Sequence, residues 1–436
     1  MEITERIESR VRSYCHSFPA VFDKAEGCFM YDTQGREYVD FFSGAGALNY
    51  GHNPPHMKEK LLEYIERNGL THSLDMVSTA KERLLGQFSS TILEPRGLEY
   101  KIQFPGPTGT NAVEAALKLA RKITGRKKII SFTNAFHGMS LGSLSVTGNA
   151  FKRNGAGIPL MLSDTMPFCG YFGEELDTID YMERFLSDTG SGVDLAAAVI
   201  VESVQAEGGI NVAAFDWLQR LAELCRRHGM LLIFDEIQVG CGRTGPFFSF
   251  EPAGLEPDIV CLSKSISGYG LPMALTLIKP AWDQWEPGEH NGTFRGHNLA
   301  FITAAEALTY WKSDRFTEEI QKKGKAVHRR LQEIADQYSR VFQPPRGRGM
   351  IQGLPCSQAG LAKKITRTAF DRGLIMETAG PEDNVLKFMP PLIIDEETLT
   401  RGLEIAVESI EEVVGRAAPS SNTVALGSAA ERRETI

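Results

Sequence analysis

Two residues that could carry chemistry close apolar runs. Asp258-Ile259-Val260-Cys261-Leu262-Ser263 leads to Lys264, and Leu231-Leu232-Ile233-Phe234 leads to Asp235-Glu236-Ile237-Gln238, 29 positions earlier. A lysine at a strand end among apolar neighbours can lose its proton and form a Schiff base with an aldehyde, although most lysines are solvated. An aspartate at such an end can stay buried if it meets a cation, for instance a protonated heterocyclic nitrogen. Its alternatives are a helix cap or a surface acid. Gly106-Pro107-Thr108-Gly109-Thr110-Asn111 follows a third run and opens a helical pattern. Glycine permits close backbone approach and helix N-terminal amides can hold a phosphate, although the same residues could form an ordinary turn. No GK[ST] follows, so it is not a P-loop. Phe136, in Phe132-Thr133-Asn134-Ala135-Phe136-His137-Gly138, could stack on a planar cofactor or simply be core. Together these residues supply an amine, an acid, a stacking ring and a phosphate cradle, the parts of a pyridoxal phosphate site.

The elements that must position them are legible between about residues 98 and 280. Strands are expected at Tyr100–Phe104, Lys128–Phe132, Leu195–Glu202, Leu231–Asp235, Ile259–Ser263 and Met273–Ile278, with helices Asn111–Thr124 and Phe215–His228 between them. Several strands are apolar throughout, which predicts an α/β fold whose mostly parallel sheet is covered on both faces. Before it lie extended pieces at Gly27–Asp32 and Glu37–Phe42, a Gly-rich loop Ser43-Gly44-Ala45-Gly46, and helical patterns at Met57–Arg67 and Ala80–Ser90. After it, residues 300–340 read as helical and 345–415 as a smaller α+β unit. The expected division is 1–65 as an N-terminal segment joining the small domain, 66–310 as the large cofactor-binding domain, 311–415 as the C-terminal small domain, and 416–436 as a disordered tail.

Composition narrows the partners. The 436 residues carry 47 Lys+Arg against 55 Asp+Glu, a formal charge of -8, which argues against nucleic-acid binding. No apolar stretch is long enough for a membrane helix, and the polar start MEITERIESR has no apolar core of a signal peptide. Seven cysteines without a CxxC pair fit a reducing, cytoplasmic setting. His52, His72 and His137 show no close ligand spacing, so no metal site is expected.

With these residues in place, the chain resembles the class III aminotransferases of pyridoxal phosphate fold type I. The resemblance rests on Gly109-Thr110-Asn111-Ala112-Val113-Glu114-Ala115-Ala116-Leu117-Lys118-Leu119-Ala120-Arg121, Phe136-His137-Gly138, Glu202 with Gln205-Ala206-Glu207-Gly208-Gly209, Asp235-Glu236-Ile237-Gln238, Ser263-Lys264, Thr293-Phe294-Arg295-Gly296 and Lys387-Phe388-Met389-Pro390-Pro391-Leu392. It spans about residues 20–412. The segments Phe42–Asn53, Thr71–Met76 and Trp285–Gly296 are most similar to the subfamily that moves the terminal amine of L-2,4-diaminobutyrate to 2-oxoglutarate in ectoine biosynthesis.

The resemblance implies a large domain with a mostly parallel sheet, a smaller α+β domain built from both termini, and a role for each site residue. Lys264 would hold pyridoxal 5'-phosphate and carry the proton. Asp235 would pair with the ring nitrogen, Gln238 with the ring hydroxyl, and Phe136 and Ile237 would sandwich the ring. Gly109 and Thr110 would bind the phosphate, with His137 in the cofactor pocket and Glu202 behind Asp235. Thr293 would reach the phosphate of the other subunit, so a homodimer with shared active sites is expected, and a tetramer stays open. Glu207 and Lys387 would form a gate over a substrate carboxylate. Asn49, Tyr50, His72 and Arg295 are candidates for gripping substrate. Two departures stand out. Met139 follows the Phe-His-Gly turn where relatives often carry Arg, and Lys387 replaces an Arg, so the planar bidentate contact is lost. The implied reaction is a ping-pong transfer between L-2,4-diaminobutyrate/aspartate semialdehyde and 2-oxoglutarate/glutamate. Other ω-transaminases, acting on ornithine, 4-aminobutyrate or a diamine, and a same-fold aminomutase or racemase are the alternatives.

Overall fold

A run that is apolar at every position needs cover on both faces, and the expected strands inside the sheet find it. The computed structural model describes residues 2–173 and 175–415, so the expected tail lies outside the described residues. Seven strands stand side by side in the order Lys101–Gln103, Leu275–Ile278, Ile259–Leu262, Leu231–Asp235, Ala198–Val201, Ile129–Phe132 and Ser163–Met166. Leu275–Ile278 runs antiparallel to both neighbours, and the other adjacent pairs are parallel. The middle strands are buried at every residue. The helix Gly109–Thr124 covers one face with Ala112, Val113, Ala116, Leu117 and Ala120. The helix Phe215–His228 lays Trp217, Leu218, Leu221 and Leu224 on the other, ending at a left-handed Gly229. The fold is the expected α/β arrangement.

The strand Ser163–Met166 was not expected. It is polar, pairs along one edge only, and buries only Met166, so it carries no apolar signature. Phe22–Glu26 also escaped, because three of its five residues are exposed and none is buried. It forms a four-stranded sheet with Phe29–Asp32, Glu37–Asp40 and, in parallel, Leu374–Ile375. One small sheet thus joins both ends of the chain. A further four-stranded sheet, Arg346–Arg348, Ile351–Pro355, Val385–Phe388 and Glu377–Ala379, sets Glu377 directly opposite Lys387. No described helix is long and apolar enough to cross a membrane.

Candidate active site

The C-terminal ends of the parallel strands converge, as ligand sites in open α/β sheets do. Asp235 ends its strand, Glu202 and Lys264 follow theirs, and the segment after Phe132 brings Phe136 and His137. With Gly109, Thr110, Ile237, Gln238 and Glu207 they line one cavity of about 170 Å³.

Each side chain is held by its neighbours. Asp235 is buried; its Oδ1 accepts the Ile237 N–H (3.0 Å) and its Oδ2 meets His137 Nδ1 (2.8 Å). Burial lowers the His137 pKa, but the bond to Asp235 and its charge outweigh that and leave it raised. The buried Nε2 of His137 has no partner among the described residues. Glu202 accepts the Phe136 N–H (3.0 Å), and burial together with the Asp235 charge holds its carboxyl well above the usual range, against an opposing pull from His137. Lys264 has a left-handed backbone (φ 52°), and its Nζ donates to the Ala45 carbonyl (2.8 Å). Burial and the Lys387 charge lower its pKa to about 8, with Glu207 opposing.

Glycine and hydroxyl groups build the wall where the phosphate is expected. Thr108 donates to Asn111 Oδ1 through both Oγ1 (2.8 Å) and its N–H (3.3 Å), which starts the helix at Gly109. The first amides of a helix have no carbonyl partner within it. A Cβ at Gly109 would stand 2.9 Å from Ile237 Cδ1, so glycine lets Ile237 close this wall without shifting. Gly138 (φ 131°) leaves room for the Thr110 hydroxyl, which bonds Ser140 (2.7 Å) and Ser143 (2.9 Å).

Behind the cavity, Lys387 is fully buried and touches Glu207 (2.8 Å), Glu377 (2.9 Å) and Gln238 Oε1 (2.9 Å). Gln238 Nε2 donates to Ala45 O (3.0 Å) and Glu207 Oε1 (3.1 Å), so this amide joins the Glu207–Lys387 pair to the Ala45 loop. Burial pushes the Glu207 carboxyl up, yet the Lys387 and Lys264 charges win and hold it well below the carboxylate range. Lys387 is held above the ordinary lysine value, because the two carboxylates outweigh its burial.

Sequence reasoning missed Glu377 and the Ala45 carbonyl. The first depends on strand register. The second depends on Ser43, Gly44 and Ala45 all taking left-handed backbone (φ 50–56°), with Asp40 accepting the amides of Phe42 and Ser43 (2.8 Å each). Two substrate candidates lie away from the Lys264 cavity. Asn49 is buried, with Nδ2 donating to Cys241 O (2.9 Å) and Oδ1 accepting from Arg243 (2.6 Å). Tyr50 is core: its hydroxyl accepts the Trp311 indole N–H (2.9 Å), and its ring packs on Tyr310 and Phe316. Neither lines the Lys264 cavity. Thr293, His72 and Arg295 also stand apart from it. His72 Nε2 meets the Thr293 carbonyl (2.9 Å), and Arg295 donates to Asn291 O (3.0 Å). They flank an apolar hollow of about 240 Å³ lined by Phe104, Pro107, Pro272 and the exposed Phe294.

A buried amine, a buried acid pair and a helix-capped cradle at strand ends are the fittings of an aminotransferase, and the family model Aminotransferase class-III matches residues 11–410. The chain belongs to that family and is a pyridoxal-phosphate-dependent aminotransferase. It is 58% identical over 414 residues to the diaminobutyrate–2-oxoglutarate transaminase of Halalkalibacterium halodurans, covering 95% of this chain and 97% of that protein. It is 56% identical over 414 residues to the protein of that name from Streptomyces coelicolor, covering 94% and 98%. Among solved structures, the ornithine aminotransferase of Toxoplasma gondii superposes with a TM-score of 0.83 at 26% identity, covering 95% of this chain and 94% of that one.

Proposed function

We propose that this aminotransferase moves the terminal amino group between L-2,4-diaminobutyrate/aspartate semialdehyde and 2-oxoglutarate/glutamate. The observation that carries the reading is the identity of 58% to a diaminobutyrate–2-oxoglutarate transaminase, extending over both chains almost end to end. The donor set fits the cofactor: His137 presents an unpartnered buried nitrogen beside Asp235, and Gly109 clears a backbone cradle. Bound pyridoxal phosphate supplies an aldehyde that joins to amines and a ring that accepts electrons. Lys264 Nζ holds it, then takes and returns the proton of the amine-bearing carbon. Its lowered pKa keeps a share of neutral amine near pH 8. Asp235, braced by His137, keeps a proton on the ring nitrogen. Glu202, held largely protonated, braces the Phe136 backbone. Phe136 and Ile237 enclose the ring, and Gly109 and Thr110 take the phosphate.

Lys387 binds a carboxylate of 2-oxoglutarate once Glu207 swings away, and pairs with Glu207 when the diamine is bound. Glu377 stays beside Lys387 in both states, which keeps the buried cation partnered. Two protomers share their sites, Thr293 of each serving the phosphate of the other. The exposed Phe294 next to an apolar hollow supports such a contact. A cytoplasmic location is part of the same reading, supported by seven free thiols, five of them buried. The test is glutamate formation from 2-oxoglutarate with a panel of diamino acids. L-2,4-Diaminobutyrate is expected to give the highest kcat/KM. A clear preference for ornithine, 4-aminobutyrate or a simple diamine, or turnover without any keto acid, contradicts the reading.

A further inference from the structure

A second chamber, about 520 Å³, opens outside the Lys264 cavity, and Glu207 lines both. Its walls come from Ser13, Tyr14 and His16 to Phe18, from Lys152, from the helix Leu361–Asp371 and from the small C-terminal sheet. Its charges are separated. Glu207 and Glu377 stand at the floor beside Lys387. Three long cations stand at the walls, and two are already paired: Lys363 with Asp383 (2.6 Å) and Arg367 with Asp371 (3.6 Å). Lys152 is the third. Among the described residues it has no carboxylate partner, and its Nζ lies 4.1 Å from the centre of the Phe136 ring, at the boundary of the two cavities.

The reaction proposed above leaves a zwitterionic head to be placed. When the terminal nitrogen of L-2,4-diaminobutyrate is at Lys264, four bonds carry its carboxylate outward by about 5 Å. That head needs one cation and one anion outside the reacting cavity. Met139 is exposed and offers no cation. We propose that the outer chamber seats the α-amino-acid head of the diamino substrate, with the Lys152 ammonium taking its carboxylate and the acidic floor facing its α-ammonium group. A weak cation–π contact with Phe136 keeps Lys152 over the boundary without neutralising it. Lys152 is thus a specificity residue that selects an amino acid over a bare diamine. This rests on the diaminobutyrate reading and deepens it.

The test compares the coenzyme-loaded native enzyme with Lys152→Met and Lys152→Arg. The donor is L-2,4-diaminobutyrate, and 1,3-diaminopropane, the same chain without the carboxylate, is the competing ligand. Lys152→Met is expected to raise the KM for L-2,4-diaminobutyrate about 10- to 100-fold, the worth of one charge-assisted contact. The inhibition constant of 1,3-diaminopropane and the KM for 2-oxoglutarate stay unchanged, and Lys152→Arg recovers most of the loss. An unchanged KM for L-2,4-diaminobutyrate in Lys152→Met, or an equal weakening of 1,3-diaminopropane, overturns the assignment of Lys152 alone. A native enzyme that makes no glutamate from L-2,4-diaminobutyrate overturns the functional reading itself, and the seat with it.

Discussion

Replacing Lys387 by Met keeps an aliphatic stem in a fully buried position and removes one charge. Two carboxylates, Glu207 at 2.8 Å and Glu377 at 2.9 Å, then lose their counter-ion, and Gln238 loses a donor. Breaking a buried pair from one side costs about 3–5 kcal/mol, so the melting temperature falls and Glu377, already raised by burial, takes a proton. The kinetic effect is separable. If Lys387 receives the keto acid, losing that charge-assisted bond, about 1.5–3 kcal/mol, raises the KM for 2-oxoglutarate roughly 10- to 150-fold. The KM for L-2,4-diaminobutyrate moves far less, because Glu207 covers Lys387 in that half of the cycle. A third readout comes from Lys264. The Lys387 charge helps to depress its pKa, so the pH profile of the variant shifts upward. Steady-state kinetics with each substrate varied, at several pH values, measures all of this, and Lys387→Arg is the charge-retaining control. A Lys387→Met enzyme that folds, turns over and keeps the native KM for 2-oxoglutarate refutes the gate.

Other outcomes follow from the buried titrating groups. Uptake of pyridoxal phosphate by the apoprotein needs the neutral Lys264 amine, whose pKa is lowered to about 8. The rate followed by absorbance should rise about tenfold from pH 7 to 9 and then level off; a rise that continues to pH 10.5 would mean an ordinary lysine. Glu236 accepts the Ser249 N–H (2.9 Å), and burial raises its pKa from 4.5 to about 8, against the Ser249 bonds. A raised folded value gives stability that is full below pH 4.5 and is lost as the pH climbs through 8. Glu236→Gln should therefore flatten the decline in melting temperature between pH 5 and 9. Parallel native and variant profiles would show that Glu236 is not protonated in the folded protein.

The parts of the site carried by single strand ends were legible in the sequence. Leu231–Asp235 is apolar up to its last residue because both sheet faces are covered, and the same holds for the run into Lys264. What depends on pairing was not. Glu377 meets Lys387 only through antiparallel register, and the two-residue strand just before it, Leu374–Ile375, pairs with Glu37–Asp40 near the opposite end of the chain. The Ala45 carbonyl reaches Lys264 and Gln238 because three consecutive left-handed residues turn it there, and a Gly-rich string does not say which carbonyl will do so. Asn49 and Tyr50 looked like binding residues because they sit in a loop. Arg243, fully buried and without a carboxylate partner among the described residues, uses the Asn49 side chain and the Met350 and Pro390 carbonyls instead, and Trp311 uses Tyr50. Those partners lie far away along the chain.

The measurement closest to the centre of this account is covalent mapping of the coenzyme. The holoenzyme is reduced with borohydride, digested, and the coenzyme-bearing peptide is sequenced by mass spectrometry. The account predicts one labelled peptide, modified at Lys264, and none from Lys264→Ala. A label on another lysine, or no label on protein that carries out full turnover, contradicts it.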